Sequence, residues 1–394
     1  MKAFPTFKEM FDQATLSAGG KYIFSLSKLA QRVGRGGWPA HLAAITLVFA
    51  ATPTTTAIPT QVELNKGAMN KLVFSDGRNE RLNCNGPQLR DFERMEQGTI
   101  INPDGHSIAG TSGRPRYFAR TINLGLPNFF GGQSDFAYPC AAMKTGQLVV
   151  DGGALTDWAS DCTAIAGTVQ AFAHYVAYGP GVVRVPPFVK RSIAPITNGL
   201  QMSGRQMVAF LGLNATAANA AYSVGELANL TFNCGGYSPI NNVPGHALTR
   251  LYQSEMGRGL YTGIQGEQAD ADDDVNVRDV DRTAATASKN VAADLQVVWY
   301  SPPGTRITKG AAIVDAAMAL SWTGSKTSAA IALITSIVPQ SPATVAGIAA
   351  DAGRELGFRR LQKDGLKVKT FSKKLFTGTE EMAMYMPWEA KFEV

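Results

Sequence analysis

The feature that most constrains the fold of this chain is a weak internal repeat. Residues 71–77 are KLVFSDG and residues 229–235 are NLTFNCG, so a leucine, a phenylalanine and a glycine recur at the same places. In both segments two apolar residues alternate onto one face of a strand, and a turn follows. The repeat predicts two copies of one domain, in which these residues occupy the same strand: Leu72 and Phe74 in the first copy, Leu230 and Phe232 in the second.

The flanks of the two segments extend the repeat. Upstream, AITLVFAATPTTT (44–56) and QMVAFLGLNATAAN (206–219) are apolar strand patterns that run into loops. Downstream, PQLRDFERM (87–95) and HALTRLYQSEM (246–256) each place two apolar residues three apart, as on a short helix. The order of long strand, loop, strand, turn and short helix therefore occurs twice, at an offset of about 160 residues.

The longest nearly unbroken apolar run, residues 42–51, raises the question of a membrane segment. It has only ten residues, whereas a helix that spans a bilayer needs about 20. Its β-branched residues favour a strand, and Pro53 and Pro59 end the run. We therefore predict that this run is the first long strand of the first domain and lies in its core.

Length and composition also suit two domains of many short strands. The chain has 394 residues, of which 45% are apolar and only 17% charged, so it is expected to fold around more than one core. A strand-rich domain of about 160 residues has the size of an eight-stranded antiparallel jelly roll. We predict an all-β chain with short helices, divided into an N-terminal helical arm (1–36), a first jelly-roll sandwich (37–195), a second one (196–350) and a C-terminal strand or extension (351–394).

The N-terminal segment shows the spacing of a helix. Apolar residues recur there at intervals of three and four, and lysines flank them. This combination is typical of a helix at a lipid interface, and its apolar face must pack on the sandwich, on a neighbouring subunit or on a membrane. The residues predicted to contact a membrane or a neighbouring subunit are Lys2, Phe4, Phe7, Lys8, Met10 and Phe11.

A second basic segment lies near the C-terminus. Residues 358–374 carry seven Lys or Arg against one Asp. Clusters of this size attract anionic lipid, although a solvated surface is the simpler explanation and contact with a genome is a third. The net charge of +6 does not by itself indicate nucleic-acid binding, and nothing suggests base-specific recognition. The predicted basic patch consists of Arg359, Arg360, Lys363, Lys367, Lys369, Lys373 and Lys374.

One acidic segment, EQADADDDVNVRDVD (267–281), is a candidate cation site. Calcium takes carboxylate oxygens at alternating positions, and Asp270, Asp272 and Asp274 have that spacing. The segment lacks the turn glycine and the distal glutamate of a calcium loop, so a solvated loop is the alternative. Calcium is thus the one cofactor considered, and no other is predicted.

Catalysis receives little support from the sequence. The histidines are far apart, and no nucleophile elbow, HExxH, phosphate loop or dinucleotide fingerprint occurs. The four cysteines show neither CxxC pairing nor metal-ligand spacing. No signal peptide is recognisable, because the N-terminus has no apolar core region. We expect a protein that is made in a cytoplasm and is not an enzyme.

With these patterns the chain resembles the double jelly-roll major capsid proteins of tailless, membrane-containing icosahedral viruses and phages. The resemblance rests on HLAAITLVFAAT, on NKLVFSDGRNERLNCNGPQLRDFERM, on RYFARTINLG…DFAYPC and on their partial echo in the second half, over roughly residues 37–300. It implies homotrimers of pseudo-six-fold outline that tile an icosahedral shell around a membrane enclosing the genome. Residues 304–394 depart from the simplest form, because they are long, Ala-rich and partly helical in pattern.

Two classes of function remain. The first is a structural shell protein of the virion, assembled in the host cytoplasm, whose partners are its own copies, other capsid proteins and the internal lipid membrane. The second is a tandem jelly-roll binding module, such as a minor capsid protein, a spike or a lectin-like carbohydrate-binding protein. Terminal arms and the missing secretion signal favour the shell protein. A jelly-roll glycosidase, the third option, would need paired carboxylates that the sequence does not locate.

Overall fold

Strands dominate the part of the chain that the structure describes. The computed structural model describes residues 7–30, 39–56, 59, 61–97, 115–125, 136–178, 182–195, 200–202, 205–211, 229–234, 237–244, 295–299, 318–323, 331–338, 340–364, 367–373 and 384–393. The helices of this part are mostly short: α1 (Ser27–Ala30), α2 (Gln61–Ala68), α3 (Gly86–Gln97), α4 (Leu155–Trp158) and the longer α5 (Pro342–Asp364).

The first half of the chain forms a jelly-roll sandwich. Its strands are β1 (Phe7–Thr15), β2 (Lys21–Ser25), β3 (Ala40–Thr54), β4 (Lys71–Ser75), β5 (Glu80–Cys84), β6 (Arg116–Asn123), the short β7 (Tyr138–Pro139), β8 (Gln147–Asp151) and β9 (Ala164–Ala177). One sheet has the order β1-β9-β3-β6, with β7 beside β3, and the other contains β5-β4-β8-β2. Apart from β7, successive strands change sheet everywhere except at the β4–β5 hairpin. Two sheets connected in this way form a jelly roll.

The second half repeats the same strand order. Its strands are β11 (Phe188–Pro195), β12 (Leu200–Met202), β13 (Arg205–Leu211), β14 (Asn229–Cys234), β15 (Tyr237–Pro244), β16 (Leu295–Trp299), β17 (Met318–Thr323) and β18 (Ile331–Val338). One sheet contains β11-β18-β13-β16 and the other β12-β17-β14-β15. Strand for strand this order equals that of the first half, so the prediction of two tandem jelly rolls is confirmed.

The predicted repeat occupies the fourth strand of both sandwiches. Leu72 and Phe74 lie on β4, fully buried, and Leu230 and Phe232 lie on β14. Both strands form a hairpin with the fifth strand: β4 with β5, and β14 with β15. The short helix predicted after the first hairpin is α3. Its counterpart at 246–256 lies outside the described residues.

The apolar run 42–51 lies in β3, in the core as predicted. Ile45, Leu47 and Phe49 are fully buried, because alternate side chains of this central strand point between the two sheets. The predicted place in the strand order is wrong, however. β3 is the third strand of the first sandwich, between β9 and β6, and two strands precede it.

The N-terminal helix predicted from the spacing of apolar residues is also wrong. Residues 7–15 and 21–25 are strands, and they supply one edge of each sheet of the first sandwich. β1 pairs antiparallel with β9, and a bulge between Met10 and Asp12 interrupts the register. Tyr22 and Phe24 alternate into the core along β2. The proposed domain boundaries near residues 36, 195 and 350 remain predictions.

Three further elements join the sandwiches to the C-terminal part. β10 (Val182–Val185) precedes the second sandwich and pairs with β20 (Met384–Glu393), which also pairs with β19 (Lys367–Lys373). Side chains of α5 belong to the same apolar cluster as the core of the first sandwich; they are Val345, Ile348, Ala349 and Ala352. The C-terminal elements therefore pack against the first sandwich and pair with β10, the strand that links the two sandwiches.

Candidate functional site

The two sandwiches meet along a continuous sheet. β11, the first strand of the second sandwich, pairs in parallel with β5, the fifth strand of the first, at Arg191 and Leu82. This bridge joins four strands of each sandwich into one sheet of eight. The Arg191 side chain is 3% exposed and donates hydrogen bonds to the carbonyls of Asn123 (2.5 Å) and Gly125 (2.9 Å), where β6 ends. One strand of the second sandwich is thus anchored to two strands of the first.

A buried ion pair supports the same junction. Nε of Arg81 lies 2.6 Å from the carboxylate of Asp76, and both side chains are essentially inaccessible to solvent. The Arg81 guanidinium stacks on the ring of Tyr138 at 4.6 Å and on that of Phe188 at 5.5 Å. Burial raises the pKa of Tyr138, and the neighbouring Asp76 carboxylate adds to this effect. Because Phe188 begins β11, the cation–π contact also connects the two sandwiches.

The linker between the sandwiches contains β10, and a buried histidine holds this strand in place. Nε2 of His41 accepts the backbone N–H of Arg184 in β10 at 2.9 Å, and Nδ1 donates to the carbonyl of Pro39 at 3.2 Å. The imidazole packs edge-on against Tyr178. Burial lowers the pKa of His41 to about 3, so the ring is neutral at physiological pH. Its two ring nitrogens are thus engaged by the backbone.

Helices close one edge of the first sandwich. The Glu93 carboxylate of α3 accepts the backbone N–H of Thr121 in β6 and lies 3.6 Å from the Arg120 guanidinium. Arg120 also donates to the side-chain oxygen of Asn65 in α2 at 2.7 Å. An edge strand normally exposes unpaired backbone groups, and these contacts cover part of those of β6.

Other edges have no strand neighbour in the described part of the chain. There β1 pairs only with β9, β2 only with β8, β15 only with β14 and β16 only with β13. Among the described side chains of the first sandwich, three large apolar ones are exposed: Met10 (47%) on β1, Ile23 (56%) on β2 and Tyr117 (64%) on β6. In the described residues β12 likewise pairs only with β17. The first sandwich therefore presents its first and second strands, and the second sandwich its second, fifth and sixth.

The structure separates the residues predicted for the N-terminal contact. Lys2 and Phe4 lie outside the described residues, and Phe7 begins β1. Lys8 and Met10 are exposed on β1. Phe11 is only 8% exposed and belongs to the apolar core, so it does not face a membrane. Contacts of the other residues with lipid or a neighbouring subunit remain a prediction.

The basic patch falls on two consecutive elements. Arg359, Arg360 and Lys363 lie in the last turns of α5, and Lys367, Lys369 and Lys373 lie on β19, while Lys374 is outside the described residues. The candidate calcium residues Asp270, Asp272 and Asp274 are outside them as well. Within the described residues no cluster of metal-binding side chains occurs. None of the helices described combines the length and apolarity needed to cross a bilayer.

Sequence reasoning missed the polar residues of the junction. Arg184 and Arg191 each interrupt a run of apolar residues, in VVRV and FVKRSI, and His41 opens the apolar run of β3. A charged residue at an alternating position within an apolar strand is the signal that marks a buried, paired group. The partners are more distant: Arg191 donates to carbonyls 66 and 68 residues away.

Comparison with known proteins shows the same architecture. Neither a protein-family model nor a curated protein sequence matches the chain. Among solved structures, the STIV major capsid protein is similar with a TM-score of 0.50 at 11% identity, over 85% of this chain and 97% of that one. The major capsid protein P2 from bacteriophage PM2 is similar with a TM-score of 0.43 at 10% identity, over 84% and 99%. A chain from the atomic structure of Sulfolobus Turreted Icosahedral Virus gives 0.49 at 12% identity, over 91% and 99%.

The likeness to the STIV major capsid protein, together with the strand order, defines the fold. The chain has the double jelly-roll fold, as its sequence resemblance to double jelly-roll capsid proteins predicted. At 11% identity the likeness concerns the fold and leaves the function to be argued from the molecule.

Proposed function

We propose that the chain is the major capsid protein of a membrane-containing icosahedral virus. The observation that carries the proposal is that one jelly roll occurs twice, in the same strand order, with the two copies joined through β5 and β11. The fold is that of the STIV major capsid protein. This likeness of fold supports a capsid role, and the partners proposed with it are copies of the chain, other capsid proteins and the enclosed membrane.

The tandem arrangement suits a homotrimer of pseudo-hexagonal outline. Three chains with two similar domains each supply six similar corners, and such units tile a hexagonal lattice. Closed cyclic symmetry is the usual arrangement of homo-oligomers. The sandwich edges that have no strand neighbour in the described residues lie on different jelly rolls, as a closed head-to-tail ring requires.

We propose which side of the shell faces the membrane from the distribution of positively charged residues. The basic residues of α5 and β19 follow one another in the chain and supply a cluster of the size that attracts anionic headgroups. The N-terminal residues before β1 lie close in sequence to an exposed lysine, Lys8, and add Lys2. We place the assembly in the host cytoplasm and the finished protein in the virion.

Light scattering of the purified chain tests the trimer, and negative-stain microscopy at assembly concentration tests the shell. The expected mass is about three times 41.9 kDa, with images of hexagonal capsomers or closed particles. A stable monomer at micromolar concentration would contradict the proposal and favour a tandem jelly-roll binding module.

A further inference from the structure

We propose that docking of α5 onto the first sandwich is the last step of folding, and that copies of the chain associate only after it. The association rests on the proposed function, whereas the docking does not depend on it. α5 (Pro342–Asp364) follows the last strand of the second sandwich, yet its buried side chains belong to the core of the first. The first sandwich therefore takes part of its core from the end of the chain.

The face of α5 that docks is a regular apolar stripe. Four of its side chains are at most 4% exposed and lie at positions i, i+3, i+4 and i+7, which share one face of a helix: Val345, Ile348, Ala349 and Ala352. Ser341 caps the helix, because its Oγ accepts the N–H of Thr344 at 3.1 Å. Two of the four side chains are alanines, so the stripe is small. One charged residue in it is therefore enough to separate the helix from the sandwich.

The part of the first sandwich that α5 covers is made earlier in synthesis. The helix packs on the 3₁₀ turn Cys140–Ala142, which follows β7, and on β10. Cys140 in the turn and Val183 in β10 are both inaccessible to solvent. Both elements lie in the first half of the chain, so they exist before α5 does.

Polar contacts hold the docked helix at two places. Before its first turn, the side-chain amide of Gln340 donates to the carbonyl of Pro186 at 2.5 Å, two residues ahead of β11. Further along, the Asp351 carboxylate accepts a hydrogen bond from the Arg78 guanidinium, which lies 273 residues away in the turn between β4 and β5. Both side chains of this ion pair are about one-third exposed, so it directs the docking more than it stabilises it.

The same contacts fix the junction between the sandwiches. Arg78 lies in the β4–β5 turn, and Arg81 on β5 stacks on Phe188 of β11. Gln340 holds the segment just before Phe188. Docked α5 thus connects the β4–β5 hairpin of the first sandwich to the start of the second. Copies that associate through both sandwiches need this connection, because it sets where one sandwich lies relative to the other.

The order of synthesis makes this docking the last step. The strands of the first sandwich end at Ala177, and domains fold from the N-terminus while the chain is made. The sheets of the first sandwich therefore form before α5 exists, with the turn Cys140–Ala142 still uncovered. Docking then covers this apolar area, which would otherwise favour unspecific contacts, and completes the junction. Association is thereby restricted to complete chains.

Thiol labelling and light scattering of full-length variants test the proposal. Ile348→Asp places a carboxylate in the buried stripe and should undock the helix. We expect Cys140 to react with iodoacetamide at least about tenfold faster than in the unmodified chain, because its cover is lost. Cys84 and Cys162, which are buried elsewhere in the first sandwich, should keep their rates. By light scattering this variant should be a monomer and the unmodified chain a trimer.

The matched control is Ala343→Asp, which places the same side chain at an exposed position in the first turn of α5, where the helix dipole favours a carboxylate. It should keep the slow labelling of Cys140 and the trimer. A second variant leaves the buried stripe intact. Asp351→Arg repels Arg78 and should speed the labelling of Cys140, and Arg78→Asp combined with Asp351→Arg should restore the slow rate.

Three results would overturn the inference. Fast labelling of Cys140 in an Ile348→Asp chain that still trimerises would show that association does not need the docking. An unchanged rate at Cys140 would show that the stripe does not hold the helix. Fast labelling of Cys84 and Cys162 as well would show that the first sandwich unfolds as a whole, without a separate last step. Failure of the unmodified chain to trimerise would instead overturn the proposed function, and faster labelling of Cys140 alone would still support the docking.

Discussion

At the scale of single residues, His41 shows how a buried base ties the linker to the first sandwich. Its ring accepts the N–H of Arg184, donates to Pro39 and is fully buried. Protonation would place a charge in this site and remove the acceptor for Arg184. The pKa of His41 is therefore lowered from 6.5 to about 3, chiefly by burial.

We expect the free energy of unfolding to fall as the pH drops below about 6.5. In this range the unfolded chain binds a proton at His41 and the native chain does not, so His41 contributes a loss of up to about 1.4 kcal/mol per pH unit. The contribution ends near the folded pKa of about 3, where both states are protonated. Denaturant titrations between about pH 7 and pH 5 measure it, above most carboxylate titrations.

His41→Gln provides the matched variant, because its amide oxygen can also accept the N–H of Arg184. It should flatten the pH dependence of unfolding by nearly one proton. His174→Gln is the control: the pKa of His174 is also lowered, by burial and by Lys8, but this ring is only partly buried and bonds to Thr46. If the pH dependence of His41→Gln equals that of the unmodified chain, the role assigned to His41 is wrong.

At the scale of elements, the sequence predicted strands well where alternation is regular. The β4 and β14 patterns alternate without interruption, so the repeat identified equivalent strands of both sandwiches. The prediction of a helix at β1 was wrong for a physical reason. Met10 completes the helical spacing but is 47% exposed, whereas the next residue, Phe11, is buried, so the apolar residues do not share one face. The bulge between Met10 and Asp12 also interrupts the period of two that would indicate a strand. Pairing with β9 then decides the conformation, and local spacing does not reveal it.

The C-terminal strand β20 pairs with β10, the strand that links the two sandwiches. This pairing leads to a prediction at the scale of elements. β10 has no other strand partner in the described residues, although Val183 and Val185 belong to the first core. Deletion of residues 384–394 should therefore expose the backbone of β10 to exchange with solvent, by at least about tenfold in rate. Hydrogen exchange followed by mass spectrometry on peptides covering 182–185 measures this loss of protection.

The central strand β3 serves as the internal reference, because it has strand partners on both sides and should stay protected after the deletion. Lys391→Ala leaves the backbone of β20 in place and should preserve the protection of β10. Unchanged protection of residues 182–185 in the shortened chain would show that other contacts, such as the bond from Arg184 to His41, are enough to hold β10.

At the scale of the whole molecule, composition and repeat predicted two sandwiches but not how they join. The junction depends on Arg191 reaching carbonyls of Asn123 and Gly125, and on Arg81 stacking on Phe188 more than 100 residues later. Such contacts arise only once both sandwiches are folded, so no local pattern encodes the pairing. For the same reason the sequence did not reveal that Phe11, predicted to contact a membrane or a neighbouring subunit, packs in the core of the first sandwich.

We expect the molecule to face the proposed membrane with the side on which positive charge accumulates. The basic residues of α5 and β19 lie within 15 positions of one another, between Arg359 and Lys373. Each basic residue close to an anionic surface contributes about 1 kcal/mol of attraction. Screening over about 8 Å at physiological salt confines the effect to charges near the headgroups.

We expect the chain to co-sediment with vesicles containing phosphatidylserine at low salt and to dissociate at high salt. Replacing Lys363, Lys367, Lys369 and Lys373 by Gln should weaken this binding by at least about tenfold, because local charge near the lipid is lost. The matched control replaces four exposed lysines elsewhere: Lys21, Lys71, Lys144 and Lys190. Both variants lose the same net charge, so equal weakening would show attraction to overall charge and would contradict a membrane contact at α5 and β19.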